Sequence, residues 1–320
     1  MGRSSRGMGR DKKQPHLLSK AFLADLRAVW KSESRAPPIL SREFLCDLED
    51  AYEADGRDDS SPEELEDLGE RLDDLAAECE DRLRKALCRL PRDHPVNCPI
   101  SLFGTMDFGR LEVAHTRTLA WLLDPTKEHG FENALVTLLL KQVQAPGQRT
   151  VFYPHRVQPE RYYRNSAEED AGRTDIWVEG SWRESGGRKP GLIVIEAKVD
   201  SSEGEDQLAR YNAEIDRRRK EHSSENVCRI FLTPDEGREA TTGKNWKALS
   251  FCQLARALCD AADSLKNKPG YHYFRFYVAG ILRDILRLPI GKSPARGDPG
   301  GYRLLGFLEK KLKRINHQIL

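Results

Sequence analysis

The chain has 320 residues, 38 % hydrophobic and 32 % charged, with a mean hydropathy of −0.65 and a formal net charge of +1. That is enough for one large core or two domains, and no apolar run approaches the length needed to span a bilayer. Near-neutrality excludes a surface blanketed in basic residues. The polar start, Met1 to Gln14, has no apolar stretch of the signal-peptide kind, so a cytoplasmic location is expected.

Charge is nevertheless segregated. Residues 43 to 81 are acidic, whereas 205 to 220 and 303 to 314 are basic, which would make any nucleic-acid contact local. The seven cysteines lack metal-type spacing and read as buried or incidental thiols, Cys252 and Cys259 sharing a helical face.

Residues 1–15 read as a disordered basic tail and 16–95 as a helical region. The first helix is expected near Leu17 to Lys31, with Leu18, Phe22, Leu26 and Trp30 on one face. A second, after Pro37-Pro38, runs near Ser41 to Ala54. Ser61-Pro62-Glu63-Glu64 supplies a cap, a first-turn proline and early acids for a third helix. It continues to about Leu90 on a stripe of Leu65, Leu68, Leu72, Leu75, Cys79, Leu83 and Leu87. Its acidic outer face reads as solvated surface. The proline-rich residues 91 to 108 read as a linker.

Helical periodicity resumes over Leu111 to Leu123 and stops at Asp124-Pro125, with Glu112 and His115 one turn apart. His115 either faces a phosphate or is held in the core. Residues 131 to 141 complete a helical pair, and Val151-Phe152-Tyr153 begins a sheet. A polar loop over 164 to 173 then leads to Arg173-Thr174-Asp175-Ile176-Trp177-Val178-Glu179. After a gap holding Gly180, Gly186, Gly187, Pro190 and Gly191 comes Leu192-Ile193-Val194-Ile195-Glu196-Ala197-Lys198-Val199. Both flanks are rich in β-branched and aromatic residues and read as strands, the gap as their hairpin turn.

On the second strand Glu196 and Lys198 share a face, about 7 Å apart at a rise of about 3.4 Å per residue, opposite Ile193, Ile195, Ala197 and Val199. A carboxylate and an ammonium on an apolar strand are costly to bury unless paired or metal-bound. A hairpin sets Asp175 beside Glu196, and two close carboxylates call for a divalent cation, for which oxygen ligands suit Mg²⁺ or Mn²⁺. Ser202-x-x-Glu205 reads as the capping box of the next helix, on which Gln207 and Tyr211 lie one turn apart.

Asp175, twenty intervening residues, and then Glu196-Ala197-Lys198 closing an apolar strand together resemble the PD-(D/E)XK nuclease superfamily. The Gln207/Tyr211 pair is similar to the Gln-x-x-x-Tyr element of its recombination-type exonuclease branches. The likeness covers roughly Gly109 to Ala257. Leu119-Ala120-Trp121-Leu122-Leu123-Asp124-Pro125 followed by His129-Gly130 resembles one subgroup. Thr174 stands where the name has proline, a position the superfamily varies.

The resemblance implies an α/β, restriction-endonuclease-like mixed sheet core over 109–265 flanked by helices, with N-terminal and C-terminal helical additions, the latter over 266–320. It implies Mg²⁺ or Mn²⁺ on Asp175, Glu196 and the Ala197 carbonyl, with Glu112 as a third acid, and Lys198 orienting water or stabilising charge. Gln207 would contact the water or phosphate and Tyr211 would support it. Arg173 and Arg210 are expected phosphate clamps, and His115 a further substrate contact. The expected partner is nucleic acid, with DNA foremost and a place in bacterial defence or on a mobile element. The alternative is a non-cleaving nucleic-acid-binding or protein-interaction module on the same fold. The extra helices leave room for a homodimer or for a partner protein that supplies recognition.

Farther on, Val227 to Thr233 reads as a central strand, and Trp246 to Phe251 as a short strand before a helix through Leu265. The aromatics of a helix around Tyr271 to Leu288 read mainly as core, and the basic helix from Tyr302 to about Ile319 as docked on the body. No nucleotide-binding loop is present. The glycine spacing of Gly237 to Asn245 is one too long, and Leu286 replaces the leading glycine before Gly291-Lys292-Ser293.

Overall fold

The computed structural model describes residues 62–143, 151–164, 171–184, 186–201, 204, 207–217, 226–234, 240, 245–291, 298 and 300–309. The basic tail, the two helices expected before residue 55, the Ser202/Glu205 capping box and the last helix beyond residue 309 lie outside them. Two compact units are present, residues 1–86 with 294–310 and residues 87–293 with 311–320. Among the described residues no helix is long and apolar enough to cross a membrane.

In the first unit, helix α1 (Pro62–Cys88) buries Leu75, Ala76, Cys79 and Leu83 at the expected helical spacing. Residues 300–309 are also helical and bury Tyr302, Leu304, Leu305, Phe307 and Leu308. The Arg82 guanidinium donates to Glu309 Oε1 (Nε to Oε1 2.9 Å) and ties these two segments together. Burial pushes the Cys79 thiol up to about 12, so it remains an unreactive apolar filler.

The second unit is built on a five-stranded mixed sheet in the order β1–β2–β3–β4–β5. Strands β1 (Phe152–Arg164), β2 (Ala171–Glu184) and β3 (Gly187–Ala197) form an antiparallel meander; β4 (Val227–Thr233) and β5 (Trp246–Ser250) join β3 in parallel. The helices are α2 (Glu112–Leu123), α3 (Ala134–Gln142), α4 (Gln207–Arg217), α5 (Phe251–Leu265) and α6 (Tyr271–Gly280), the last running into a π turn over Ile281–Ile285. Parallel pairing of β3 with β4 requires a crossover, and the segment carrying α4 supplies it. From Gly191 onward β3 is buried throughout, as a strand with neighbours on both edges must be. One face packs Trp177, Leu192, Val194, Val227 and Phe231 against Leu208, Tyr211 and Ile215 of α4. The architecture is the expected restriction-endonuclease-like α/β fold.

The glycine-rich gap between β2 and β3 differs from the sequence expectation. The strands run straight through it: Gly180 pairs with Gly191, Ser181 with Pro190, Trp182 with Lys189 and Glu184 with Gly187, leaving the turn at Gly186, with Gly187 opening β3 at φ +117°. Gly180 and Gly191 are small because rings pass over them. A Cβ on Gly180 would meet Phe152 Cε1 at 2.5 Å, and one on Gly191 would meet Trp182 Cδ1 at 2.2 Å. Residues 91–108 are not a linker either. His94, Val96, Cys98, Ser101 and Phe103 are buried, two 3-10 turns take up Pro95 and Gly104, and Ser101 Oγ bonds the Asp284 carboxylate. Proline and glycine there shape a packed segment that lacks regular structure.

The Asp124-Pro125 and His129-Gly130 pair has a structural explanation. His129 Nε2–H donates to the carbonyls of Asp124 (2.8 Å) and Trp121 (3.1 Å), and Nδ1 accepts from the Phe131 amide (2.9 Å). The imidazole thereby satisfies carbonyls that the end of α2 leaves open. Asp124 Oδ1 accepts from the Thr126 amide, and Gly130 takes the left-handed turn at φ +72°.

Gly191→Ala should destabilise the chain by about 1–3 kcal/mol by forcing Trp182 off its site. Thermal unfolding of the variant against wild type measures it; an unchanged midpoint would mean that the ring can move aside freely.

Candidate functional site

The β2/β3 register pairs Ile176 with Ile195, so one step further sets Asp175 opposite Glu196, side chains on the same face. Asp175 Oδ2 accepts the Ala197 amide at 2.8 Å, fixing the carboxylate against the end of β3. Lys198 Nζ donates to Glu196 Oε1 at 2.7 Å. Asp175 is 5 % exposed, Glu196 1 % and Lys198 6 %, so the three charges are held almost out of water.

Helix α4 contributes the next layer. Gln207 Nε2 donates to Glu196 Oε1 (2.7 Å) and to the Tyr211 hydroxyl (2.7 Å), while its Oε1 accepts from the Gly204 amide (3.2 Å). The Tyr211 hydroxyl donates to the Arg173 carbonyl (2.6 Å) and so closes the chain back onto β2. Glu196 Oε1 is thus used twice. Among the described residues Glu196 Oε2 is buried with no hydrogen-bond partner.

Glu112, the first residue of α2, reaches the same strand end. Its Oε2 accepts from the Val199 amide (3.2 Å) and from Ser201 Oγ (3.0 Å), and its Oε1 lies 3.9 Å from Lys198 Nζ. Ser201 carries no sequence signal for this role: a serine after a strand reads as loop. Arg173 pairs with Glu160 Oε1 at 2.5 Å. Arg210 is exposed on α4. His115 is 1 % exposed and packs among Phe103, Phe251 and Tyr277, its Nε2–H donating to the Gly109 carbonyl at 2.8 Å. The structure therefore brings Asp175, Glu196, Ala197, Lys198, Gln207, Tyr211, Arg173 and Glu112 together; its contacts put His115 in the core.

Burial raises the pKa values of both Asp175 and Glu196 above the ordinary carboxylate range, and the charges of neighbouring acids raise them further. The Ala197 amide and Lys198 act in the opposite direction. Lys198 is held above its usual value: burial would lower it, but Glu196, Glu112 and Asp175 outweigh that effect.

The family model of the PD-(D/E)XK nuclease superfamily matches residues 102–278, more than half of the chain. The chain belongs to the PD-(D/E)XK nuclease superfamily. No curated protein and no solved structure matches it. In this superfamily member Asp175 lies on β2, Glu196 and Ala197 end β3 beside it, and Lys198 is the next residue.

Members of the superfamily generally use divalent metals, and the donor set fits a hard cation. Among the described residues no three His, Cys, Asp or Glu side chains gather into a ready-made cage. Two neighbouring carboxylates, one with an unpartnered oxygen, are what Mg²⁺ takes when it keeps several waters and shares substrate phosphate.

The raised carboxyls fix the sign of a pH effect. Each stabilises the fold only while protonated, so its contribution is complete below the unfolded carboxylate range, about pH 4, and is lost as pH rises through the raised folded value. Asp175→Asn keeps an acceptor for the Ala197 amide and removes one buried charge. In EDTA its thermal midpoint should fall less than that of wild type between about pH 5 and pH 8; parallel profiles would show that ionising Asp175 costs the fold nothing.

Proposed function

We propose that the chain is a metal-dependent nuclease that hydrolyses phosphodiester bonds at the Asp175–Glu196–Lys198 site. The observation that carries this reading is the unpartnered Glu196 Oε2, buried beside a second carboxylate while Lys198 and Gln207 are both spent on Oε1. A purely structural salt bridge would satisfy both oxygens. Leaving one bare and buried is costly, and a ligand that arrives with substrate removes the cost.

Asp175, Glu196 and the Ala197 carbonyl would hold Mg²⁺ or Mn²⁺, with Glu112 at the edge of the set. Such an ion supplies Lewis acidity that stabilises charge on the scissile phosphate and makes water a better nucleophile at neutral pH.

The protein's own groups do the rest. Lys198, a compact cation fixed between Glu196 and Glu112, is placed to orient the attacking water or to stabilise charge that develops on phosphate oxygens. Gln207 holds Glu196 in one rotamer, and Tyr211 holds Gln207 and the β2 backbone. Both act as positioning residues, because their polar atoms are engaged within the protein. Arg173, next but one to Asp175 on β2, and Arg210 on α4 supply positive charge for the nucleic-acid backbone. DNA as the substrate, with a role in bacterial defence or on a mobile element, follows from the resemblance alone.

Linear and circular DNA and RNA should be cleaved with Mg²⁺ or Mn²⁺ and left intact in EDTA. Asp175→Ala, Glu196→Ala and Lys198→Ala should each lose roughly 100-fold or more of that activity while circular dichroism stays native. Gln207→Ala should lose about 10- to 100-fold. Full activity in any of the first three removes that residue from the mechanism. Binding of nucleic acid without cleavage under any metal would favour the non-cleaving module instead.

A further inference from the structure

Glu160 lies on edge strand β1, opposite Asp175 in the ladder: Pro159 pairs with Ile176 and Arg161 with Thr174 on either side. It has φ +49°, a left-handed backbone that a residue with a Cβ rarely adopts inside a strand. Its side chain, 11 % exposed, forms ion pairs with two guanidiniums, Arg117 from α2 and Arg173 from β2. Those cations are themselves 63 % and 38 % exposed. Two guanidiniums on one shielded carboxylate leave an excess positive charge facing water, two residues along β2 from Asp175.

Tyr162 is directly opposite Arg173 and is 72 % exposed, the most exposed large hydrophobic side chain among the described residues. The Arg173 guanidinium carbon is 5.9 Å from its ring centre. Arginine beside an open aromatic face is the pairing that holds single strands: the cation takes a phosphate and the ring stacks on a base. In duplex both faces of an internal base are covered by its neighbours, so the ring gains a partner only at an unpaired or frayed nucleotide. The ladder geometry gives this platform a direct line to the carboxylates across β2.

We infer that Tyr162, with Arg117 and Arg173 anchored on Glu160, forms a subsite for single-stranded nucleic acid that leads an unpaired strand to the Asp175–Glu196 site. This rests on reading that site as a nuclease centre, and it adds a substrate preference: unpaired strand over closed duplex. Glu160 acts here as a positioning residue that spaces the two guanidiniums.

The test is fluorescence anisotropy of the full chain in EDTA with a short labelled deoxyoligonucleotide, single-stranded or as blunt duplex, over a salt series. Wild type should bind the single strand more tightly. Tyr162→Ala should lose roughly tenfold in single-strand affinity with duplex affinity little changed, and Tyr162→Phe should retain it. Arg117→Ala and Arg173→Ala should each lower the salt slope by about one. Glu160→Gln should bring the single-strand preference toward one without lowering the slope, whereas equal loss of both affinities overturns its positioning role. The inference fails if wild type binds neither probe, if Tyr162→Ala binds the single strand as wild type does, or if Tyr162→Phe loses as much as Tyr162→Ala. Cleavage is scored separately with Mg²⁺. Expected binding without cleavage sinks the nuclease reading and keeps the strand subsite, and cleavage with unaltered Tyr162→Ala binding does the reverse.

Discussion

The structure turns on a buried acid whose ionisation its surroundings oppose. Glu196 is placed by strand geometry at the point where β3 is enclosed by β2, β4 and α4, and there an ionised carboxylate has almost no water. Transfer of a lone carboxylate to such surroundings is prohibitive, so the surroundings must be polar in a specific pattern. Lys198 supplies the opposite charge from two residues on, Gln207 a donor from α4, and Tyr211 the brace that holds Gln207. A network of this kind is stable when every member is satisfied, and one oxygen here is not.

That imbalance divides the site into a fixed part and an unsatisfied part. Hydrogen bonds among Lys198, Glu196 Oε1, Gln207, Tyr211 and the Arg173 carbonyl tie three elements, β3, α4 and β2, so the carboxylates are held in place before any ligand arrives. Asp175 is pinned in turn by the Ala197 amide. Preorganisation of this kind matters most in phosphoryl chemistry, where the protein's contribution is mainly positioning and charge. The cost is stored as unfavourable ionisation of two acids in the ligand-free chain, which is the sense in which the site is less stable than an apolar core of the same shape.

Much of this was legible in the sequence because it obeys short-range rules. The period of two in β3 put Glu196 and Lys198 on one face; the helical period put Gln207 and Tyr211 on one turn; and a hairpin sufficed to bring Asp175 across. Elements that failed did so where the same residue types serve two purposes. Gly180 and Gly191 read as turn formers, yet they are strand residues kept small by Phe152 and Trp182, a constraint visible only once those rings are placed. The prolines of residues 91–108 suggested a linker because the pattern does not show that Val96, Cys98 and Phe103 are buried. His115 reads as a candidate substrate contact, and its ring is instead held by the Gly109 carbonyl, much as His129 is held by carbonyls at the end of α2. A histidine signal in sequence carries little information without its neighbours.

The same reasoning explains why the residues around Glu160 were silent. Nothing in Pro159-Glu160-Arg161-Tyr162 departs from an ordinary edge strand, and arginine and tyrosine are common on such edges. What distinguishes them is non-local: a left-handed residue opposite Asp175, and a helix that delivers Arg117 to the same carboxylate. A lone ion pair on a surface is worth little, and a strained backbone is a net cost. An arrangement that combines strain, an unbalanced charge and an open aromatic face gains nothing from folding alone. The inferred occupant, a nucleotide in an unpaired strand, is an anion with a flat face attached and would offset that cost.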